Sequence, residues 1–583
     1  MPNEPEFTIL PSAEMQTLNL NREEGYKYRF PRQEKWNEIY PLYRDTVKVN
    51  RLTQRQSVNL PIMKTIIRTV IANSDDLPVI EFQALDNDTQ AQIFQNEYWK
   101  WTLEQNNAEI QDVIDKRQEY LFGRSFDQWQ IADGMINFDI IAPDDILVSR
   151  YVNPANLHSS RYLIHMHIFK SITELEENEQ YDQEAIKDLK RWYGTKMGLI
   201  KLSANQQMLT EKNKKMADMG VTDIEHPALG ESVVELAMHF VYRKEDKEDE
   251  QIYLYVEADG MKILLKKKLE EVIGVTKDNY WRNHYPYNSW ADDIEKQAFW
   301  SDGIGDMVLT PQKIANVWFS QMVENRTLKN FNMNVFDSTI EGYSPQTFTP
   351  EPFGWYPVPG KPSEVYQQLQ VNDLGDTLPE MTFLIQMIEK ASGATATQQG
   401  ATNERQITLG EVKLALSQSQ ERVKSLSKFY TNVWKQRAEM FLKLIEAGHD
   451  KLDAIQIYKQ GRNTTDLYPR QIAPKDWMSA LGYVTKVWSR EEKNAQDEQA
   501  LQKLNAAVAS IPSNMKLKDV YDRRLLEYAE VKPDDITAIM EEEVQKREAL
   551  QQMANSGNMM GVAGGAPAAP LNQPALQPAV PAI

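Results

Sequence analysis

His165 and His167 stand two residues apart in the run Arg161–Phe169, where Tyr162, Ile164, Met166 and Ile168 alternate with the other face of a strand. On a regular strand that spacing puts both imidazoles on one face and offers two nitrogen ligands to a metal. A metal site needs further ligands, and no other His or carboxylate is assigned to that face, so a structural or surface role is the commoner outcome. Asp144-Asp145 and Asp292-Asp293 are acidic pairs of the kind that hold the metal ions of nucleases. Turn aspartates are the more ordinary reading, and Asp144-Asp145 follows Pro143 in a turn-forming string.

Two lysine groups offer contacts to phosphate: Lys262, Lys266, Lys267 and Lys268, and Lys212, Lys214 and Lys215. A solvated strand end or loop carries the same pattern. Trp281, Tyr285, Tyr287 and Trp290 offer aromatic faces on which bases stack. With Pro286 among them and no matching basic stripe, a packed loop or a subunit contact is the better expectation.

The standard catalytic strings are missing. There is no G-x-x-x-x-G-K-S/T phosphate loop, no G-x-G-x-x-G after a strand, no H-E-x-x-H and no G-x-S-x-G elbow. The chain has no cysteine, which removes disulfides, thiol catalysis and thiolate metal sites and points to a reducing compartment. A formal charge of −19 argues against a protein that grips phosphate over most of its surface. With 583 residues and 41% hydrophobic content the chain has material for two to four packed domains. No secretory signal is read at the N-terminus. The longest mainly apolar stretch, Val233–Tyr242, contains Glu235 and His239 and falls short of the roughly 20 residues that span a bilayer.

The elements that position these residues are helical at first. Trp36, Ile39, Tyr40 and Tyr43 predict a helix over Gln33–Arg51 broken at Pro41. Further helices are predicted over Leu60–Ala72 and Asp88–Tyr120. Strands follow at Phe122–Ile131, Phe138–Val148 and Arg161–Phe169, with a turn at Pro143-Asp144-Asp145. A polar excursion from Ser171 to Glu231 leads to strands at Val233–Tyr242, Ile252–Val256 and Met261–Leu265, the last two joined by a tight hairpin at Asp259-Gly260.

Helix returns over Ile304–Leu328, carrying Met307, Val308, Ile314, Val317, Trp318 and Met322. The segment Asn332–Lys361 holds Pro345, Pro350, Pro352, Pro357 and Pro359, too many for a continuous helix or a central strand. A helix over Thr377–Ala391 tolerates Pro379 in its first turn and stops at Ser392-Gly393. The string GATATQQGATN, Gly393–Asn403, has almost no apolar anchor and reads as a mobile loop. The strongest period in the chain then runs over Ile407–Ala447, about 60 Å of helix at 1.5 Å per residue. Ile455–Trp488 is mixed, with strands expected to return to the earlier sheet. Three helices are expected over Glu491–Ile511, Lys516–Tyr528 and Pro533–Gln551, ahead of a disordered Ala/Gly/Pro tail.

This order of an α+β, mainly helical chain resembles the portal protein (head-to-tail connector) family of tailed bacteriophages. The most family-like strings are QITLGEVKLALSQSQERVKSLSKFYTNVW, Gln406–Trp434, and NLPIMKTIIRTVIANSDDLPVIEF, Asn59–Phe82. The resemblance implies a wing over 1–300, a first stem helix over 301–330, a clip over 331–374 and a second stem helix over 375–392. A channel (tunnel) loop follows over 393–405, then the long helix and return to the wing over 406–490. A helical crown over 491–552 and the tail over 553–583 complete the chain.

The resemblance further implies a closed ring, usually of twelve copies, at a unique capsid vertex of the virion, assembled in the host bacterial cytoplasm. Double-stranded DNA passes along the axis during packaging and ejection. The implied partners are the terminase large subunit, tail or head-completion adaptors, and the major capsid and scaffolding proteins. No cofactor, metal, membrane or catalytic residue is implied. DNA must slide without being held, so the lining should avoid lysine and arginine. Thr395, Thr397, Gln398, Gln399, Thr402 and Asn403 meet that condition as channel-loop residues. Tyr343, Pro345, Phe348, Phe353, Trp355 and Tyr356 are the expected docking residues of the clip. The rivals are another head–tail adaptor or structural protein, which predicts a different ring, and a phage DNA-processing enzyme, which predicts metal- or nucleotide-dependent turnover.

Overall fold

The computed structural model describes residues 9–46, 58–74, 77–86, 88–219, 232–244, 249–330, 334–336, 366–368, 377–392, 409–453, 455–460, 467–472, 482–488 and scattered positions between 479 and 546. The chain divides into two compact units, residues 1–455 with 472–491, and residues 456–471 with 492–583.

Helix α1 (Ala13–Tyr43) starts where the Ser12 hydroxyl accepts a hydrogen bond from Met15 N at 3.2 Å. It runs through Pro31 and Pro41, so the expected start at Gln33 and break at Pro41 are both corrected. Its buried stripe of Met15, Leu18, Gly25, Arg29, Arg32, Trp36 and Ile39 explains why. The contacts along this stripe outweigh the ladder bonds lost at proline, and its polar members hide the first half from an apolar-period search. Helix α2 (Ile62–Asn73) matches its expectation closely.

The helix expected over Asp88–Tyr120 is two helices, α3 (Thr89–Gln105) and α4 (Ala108–Phe122). Asn107 at φ +48° breaks them, in the left-handed region that Asn tolerates. Strand β1 (Val79–Ala84) precedes α3.

Strands β2 (Ser125–Ala132), β3 (Met135–Ile141) and, much later, β9 (Tyr287–Trp290) form an antiparallel sheet in the order β3-β2-β9. A second antiparallel sheet takes β4 (Ile146–Val148), β5 (Tyr162–Ser171), β6 (Val233–Arg243), β7 (Gln251–Ala258) and β8 (Lys262–Lys268) in sequence order. Between β7 and β8, Asp259 and Gly260 take φ of +50° and +73°, as the hairpin reading requires. The polar excursion is helical: α5 (Ile172–Glu177), α6 (Gln183–Tyr193) and α7 (Lys196–Met219). Their apolar stripes are narrow, with α6 burying Ala185, Ile186, Leu189, Trp192 and Tyr193, so overall polarity masks them.

After α8 (Leu269–Ile273) come α9 (Ile304–Asn330), the short antiparallel pair β10 (Asn334–Phe336) and β11 (Tyr366–Gln368), α10 (Thr377–Ser392) and α11 (Leu409–Gly448). Strands β12 (Ile455–Gln460) and β13 (Leu467–Ile472) pair with each other in the second unit. Strand β14 (Tyr483–Trp488) returns to β1 rather than to either larger sheet. The expected crown helices lie outside the described residues apart from scattered positions, and so does the tail. No described helix is long and apolar enough to cross a membrane.

Candidate functional site

Helices α9 and α10 pack on each other, and β10 pairs with β11 in the stretch of chain between them. The start of α9 is fixed by α1. Arg32 donates to Asp306 Oδ1 and Oδ2 at 2.9 and 2.7 Å, pairs with Asp302, and donates to Phe122 O at 3.1 Å. Asp306 Oδ2 also accepts from Gly303 N at 2.9 Å, satisfying an N–H at the helix entry. Gly123, at φ +81°, ends α4 against this junction, and a Cβ there would sit 2.1 Å from Ser301 O.

Further along α9 a polar stripe faces the protein. Gln312, Asn316 and Ser320 are buried, one helical turn apart. Met63 N donates to Gln312 Oε1 at 2.9 Å, Leu60 N to Asn316 Oδ1 at 2.8 Å and Val58 N to Ser320 Oγ at 3.2 Å, while Gln312 Nε2 donates to Leu60 O at 2.7 Å. Pro61 caps α2 without a side-chain hydrogen bond, so these residues supply the bonds its first turn lacks. The expectation of apolar faces around Met307, Ile314 and Val317 is half reversed, because these three are exposed. On α10, Leu378, Phe383 and Met387 are exposed as well.

Helix α11 is rooted in the first unit by Arg437. Its Nη2 donates to Asp115 Oδ2 at 2.7 Å and to Asp127 Oδ1 at 2.8 Å, and its Nε to Asp127 Oδ1 at 3.0 Å. All three side chains are essentially inaccessible to water. The remaining carboxylate oxygens are taken: Trp290 Nε1 donates to Asp115 Oδ1 at 2.9 Å, while Trp129 Nε1 and Asn288 Nδ2 donate to Asp127 Oδ2 at 2.6 and 3.0 Å. Burial by itself would lower the guanidinium pKa, but the two carboxylates raise it above the ordinary arginine value. Next to this clamp Phe441 packs on Trp99 at 4.8 Å, and Trp129 stacks on Phe138 at 4.8 Å. Sequence reading missed the clamp. The available signal was an arginine standing among Tyr430, Val433, Trp434, Phe441 and Leu444 on the buried face of a helix.

The residues singled out for chemistry are committed elsewhere. A β-bulge falls between His165 and Ile168, with His167 at φ +57°, so the two imidazoles do not share a face. His165 Nδ1 bonds the Tyr287 hydroxyl at 2.9 Å, and His167 Nδ1 bonds Asp145 Oδ1 at 2.8 Å. Burial pushes His165 down to about 3, with Asp145 opposing. Asp145 also pairs with Lys212 at 2.7 Å, and Asp144 with Lys215. Burial would raise the Asp145 pKa, but Lys212 and His167 hold it well below the usual carboxylate range. Asp292 N donates to Glu119 Oε1 at 2.9 Å, and Glu119 is driven up, first by burial and then by Asp292.

Lys262 pairs with Asp188 at 2.8 Å and Lys266 with Glu14 at 2.9 Å, so neither is an open phosphate contact. Trp281, Tyr285, Tyr287 and Trp290 are buried, which rules out a base-stacking platform; the packing is as expected, but Tyr287 and Trp290 stand on strand β9 rather than in a loop. The channel-loop candidates Thr395, Thr397, Gln398, Gln399, Thr402 and Asn403 lie outside the described residues. So do the clip candidates Tyr343, Pro345, Phe348, Phe353, Trp355 and Tyr356.

Buried ion pairs and carboxamides here brace helices against one another and against β2, a fold of braced helices. The particular kind follows from comparison with known families. The chain belongs to the SU10 phage portal protein family, whose model matches residues 62–549, and that family is structural and non-enzymatic. No curated protein matches the chain.

Proposed function

We propose that copies of this chain close into a ring of twelve at one capsid vertex and that double-stranded DNA passes through its axis during packaging and ejection. The observation that carries the reading is the packed α9–α10 pair, with the paired strands β10 and β11 between them in the chain, followed by the 40-residue α11 that Arg437 roots in the first unit. In this reading α9 and α10 are the stem and residues 331–374 the clip. Residues 393–405 are the channel loop, and 491–552 form the crown. A heterologous contact that closes on itself makes such a ring. The exposed apolar residues of α9 and α10 supply surface for that contact.

The neutral loop favours sliding over binding. Exposed charge acts over only about 8 Å at physiological ionic strength, so the net charge of the chain does not bear on the duplex and the lining residues do. Energy for translocation comes from a packaging ATPase, the terminase large subunit, which docks on the clip. Tail or head-completion adaptors take the same surface later. Proline in the clip lowers the ordering entropy lost on docking. Major capsid and scaffolding proteins surround the ring in the assembling head.

Electron micrographs of the purified protein test this reading. Rings with a central hole wide enough for a duplex are expected. A population of monomers at assembly concentrations would reject it.

A further inference from the structure

Between the end of β9 and the entry to α9 the chain runs through residues 291–303, and the middle of this stretch, residues 293–297, is exposed. Its far end is packed. Phe299 and Trp300 are buried, Phe299 N donates to the Tyr28 hydroxyl at 3.2 Å, and Ser301 Oγ donates to Gly123 O at 2.6 Å. The near end hangs on one bond. Asp292 N donates to Glu119 Oε1 at 2.9 Å, and among the described residues no other main-chain group of residues 292–298 is hydrogen-bonded.

Glu119, on α4, is fully buried, and its second oxygen, Oε2, meets no donor. A carboxylate taken out of water needs cations or donors around it, and a second carboxylate is its least favourable neighbour. Glu119 has that neighbour, because its carboxyl and that of Asp292 share a hydrogen bond. Two carboxyl groups make such a bond only when one of them carries a proton. Burial disfavours the charged form, so the buried member of the pair holds it.

The other charges nearby do not reverse this. Asp115, one turn back on α4, is engaged by Arg437 of α11 and still repels a charge on Glu119. Arg124, buried just ahead of β2, attracts one, but its guanidinium donates to Ser289 Oγ at 3.2 Å and Pro154 O at 3.1 Å rather than to Glu119. On α9, Asp306 is engaged by Arg32. Asp293, Glu295 and Lys296, in the same stretch as Asp292, are exposed to water. Glu119 is accordingly driven well above the usual carboxylate range, by burial first and by Asp292 second.

We infer that residues 292–298 are a strap on the approach to α9, latched by a proton that Glu119 and Asp292 share and released when that proton goes to solvent. The closed strap binds one proton more than the open one, in which Glu119 meets water as a carboxylate. Closure is therefore strongest below the ordinary glutamate value of about 4.3 and weakens as pH rises toward the value at which Glu119 ionises in place. Across that window the open fraction grows by up to about tenfold per pH unit. The inference stands whether or not copies of the chain form a ring.

Hydrogen exchange at the Asp292 amide of the full chain, resolved by mass spectrometry between pH 5 and pH 7 and corrected for base catalysis, reads this opening. In the wild type its protection should fall by up to about tenfold per pH unit. Glu119→Gln keeps the volume, accepts the Asp292 N–H and offers an Nε2–H to the Asp292 carboxylate with no proton to lose, so its protection should not change with pH. Asp292→Asn gives Oε2 a donor in place of a carboxylate and should hold the same amide more tightly than the wild type at pH 7. The amides of β6, the central strand of its sheet, should stay protected throughout, which marks the opening as local. A wild-type slope no steeper than that of Glu119→Gln, an Asp292 amide unprotected at pH 5, looser closure in Asp292→Asn, or exchange in β6 that keeps pace would each overturn the inference and leave the portal reading standing.

Discussion

Arg437 Nη2 lies 2.7 Å from Asp115 Oδ2, a buried ion pair that joins residues 322 positions apart and ties α11 to α4. Asp127 completes the clamp from β2. Arg437→Met should cost about 3–5 kcal/mol, because two carboxylates are left buried without a cation. Thermal unfolding measures the loss. Asp115→Asn with Asp127→Asn in the same background should recover part of it, and a recovery of nothing would mean that the clamp acts through packing alone.

His165 sets an acid limit on the first unit. Its folded pKa is pushed down to about 3 by burial, against about 6.5 in the unfolded chain. The unfolded state therefore binds the proton first. The stability this neutral imidazole contributes is complete above pH 6.5 and is lost as pH falls toward 3, at up to about 1.4 kcal/mol per unit. Denaturant titrations between pH 7 and pH 4 should show a shallower pH slope for His165→Asn than for the wild type. Equal slopes would refute the assignment.

Gln312 and Asn316 hold the entry to α2 through three hydrogen bonds to main-chain N–H and C=O groups. Gln312→Leu and Asn316→Leu each strand one or two of these groups, at about 1–3 kcal/mol per group. Hydrogen exchange at the amides of Leu60 and Met63 should accelerate before the rest of the fold responds. Unchanged exchange at those two sites would show that α2 is held by its apolar face.

Phe383 and Met387 are exposed one turn apart on α10. Changing both to Ser should move protomer stability by no more than about 0.5 kcal/mol per site, as is usual for surface positions. Ring assembly should fall, read as the oligomeric fraction by light scattering. Assembly at the wild-type level would remove α10 from the subunit contact.

For the proposed channel loop, Thr395→Arg with Thr402→Arg should place two rings of cations against passing phosphate and slow packaging, with a steeper dependence on salt. Normal packaging and ejection by such rings would displace residues 393–405 from the channel wall.

Local signals made much of the fold legible. The α9 and α10 boundaries, the hairpin at Asp259-Gly260 and the long α11 follow from apolar period, proline and glycine, which act within a few residues. The misses have tertiary causes. Helix α1 crosses Pro31 because its buried stripe binds it to the first unit, and α5–α7 hid behind their polarity.

The order of helices and strands, the absence of standard catalytic strings and the resemblance to portals were determined by the sequence alone, since each is a property of neighbouring residues. Which side chains meet was decided only in three dimensions. A single inserted residue at the β5 bulge separates His165 from His167, and the partners of Arg437 lie more than 300 positions away, where no spacing rule reaches. Burial then sets the outcome: in water these groups would ionise independently, but within a packed interior each charge must find its partner.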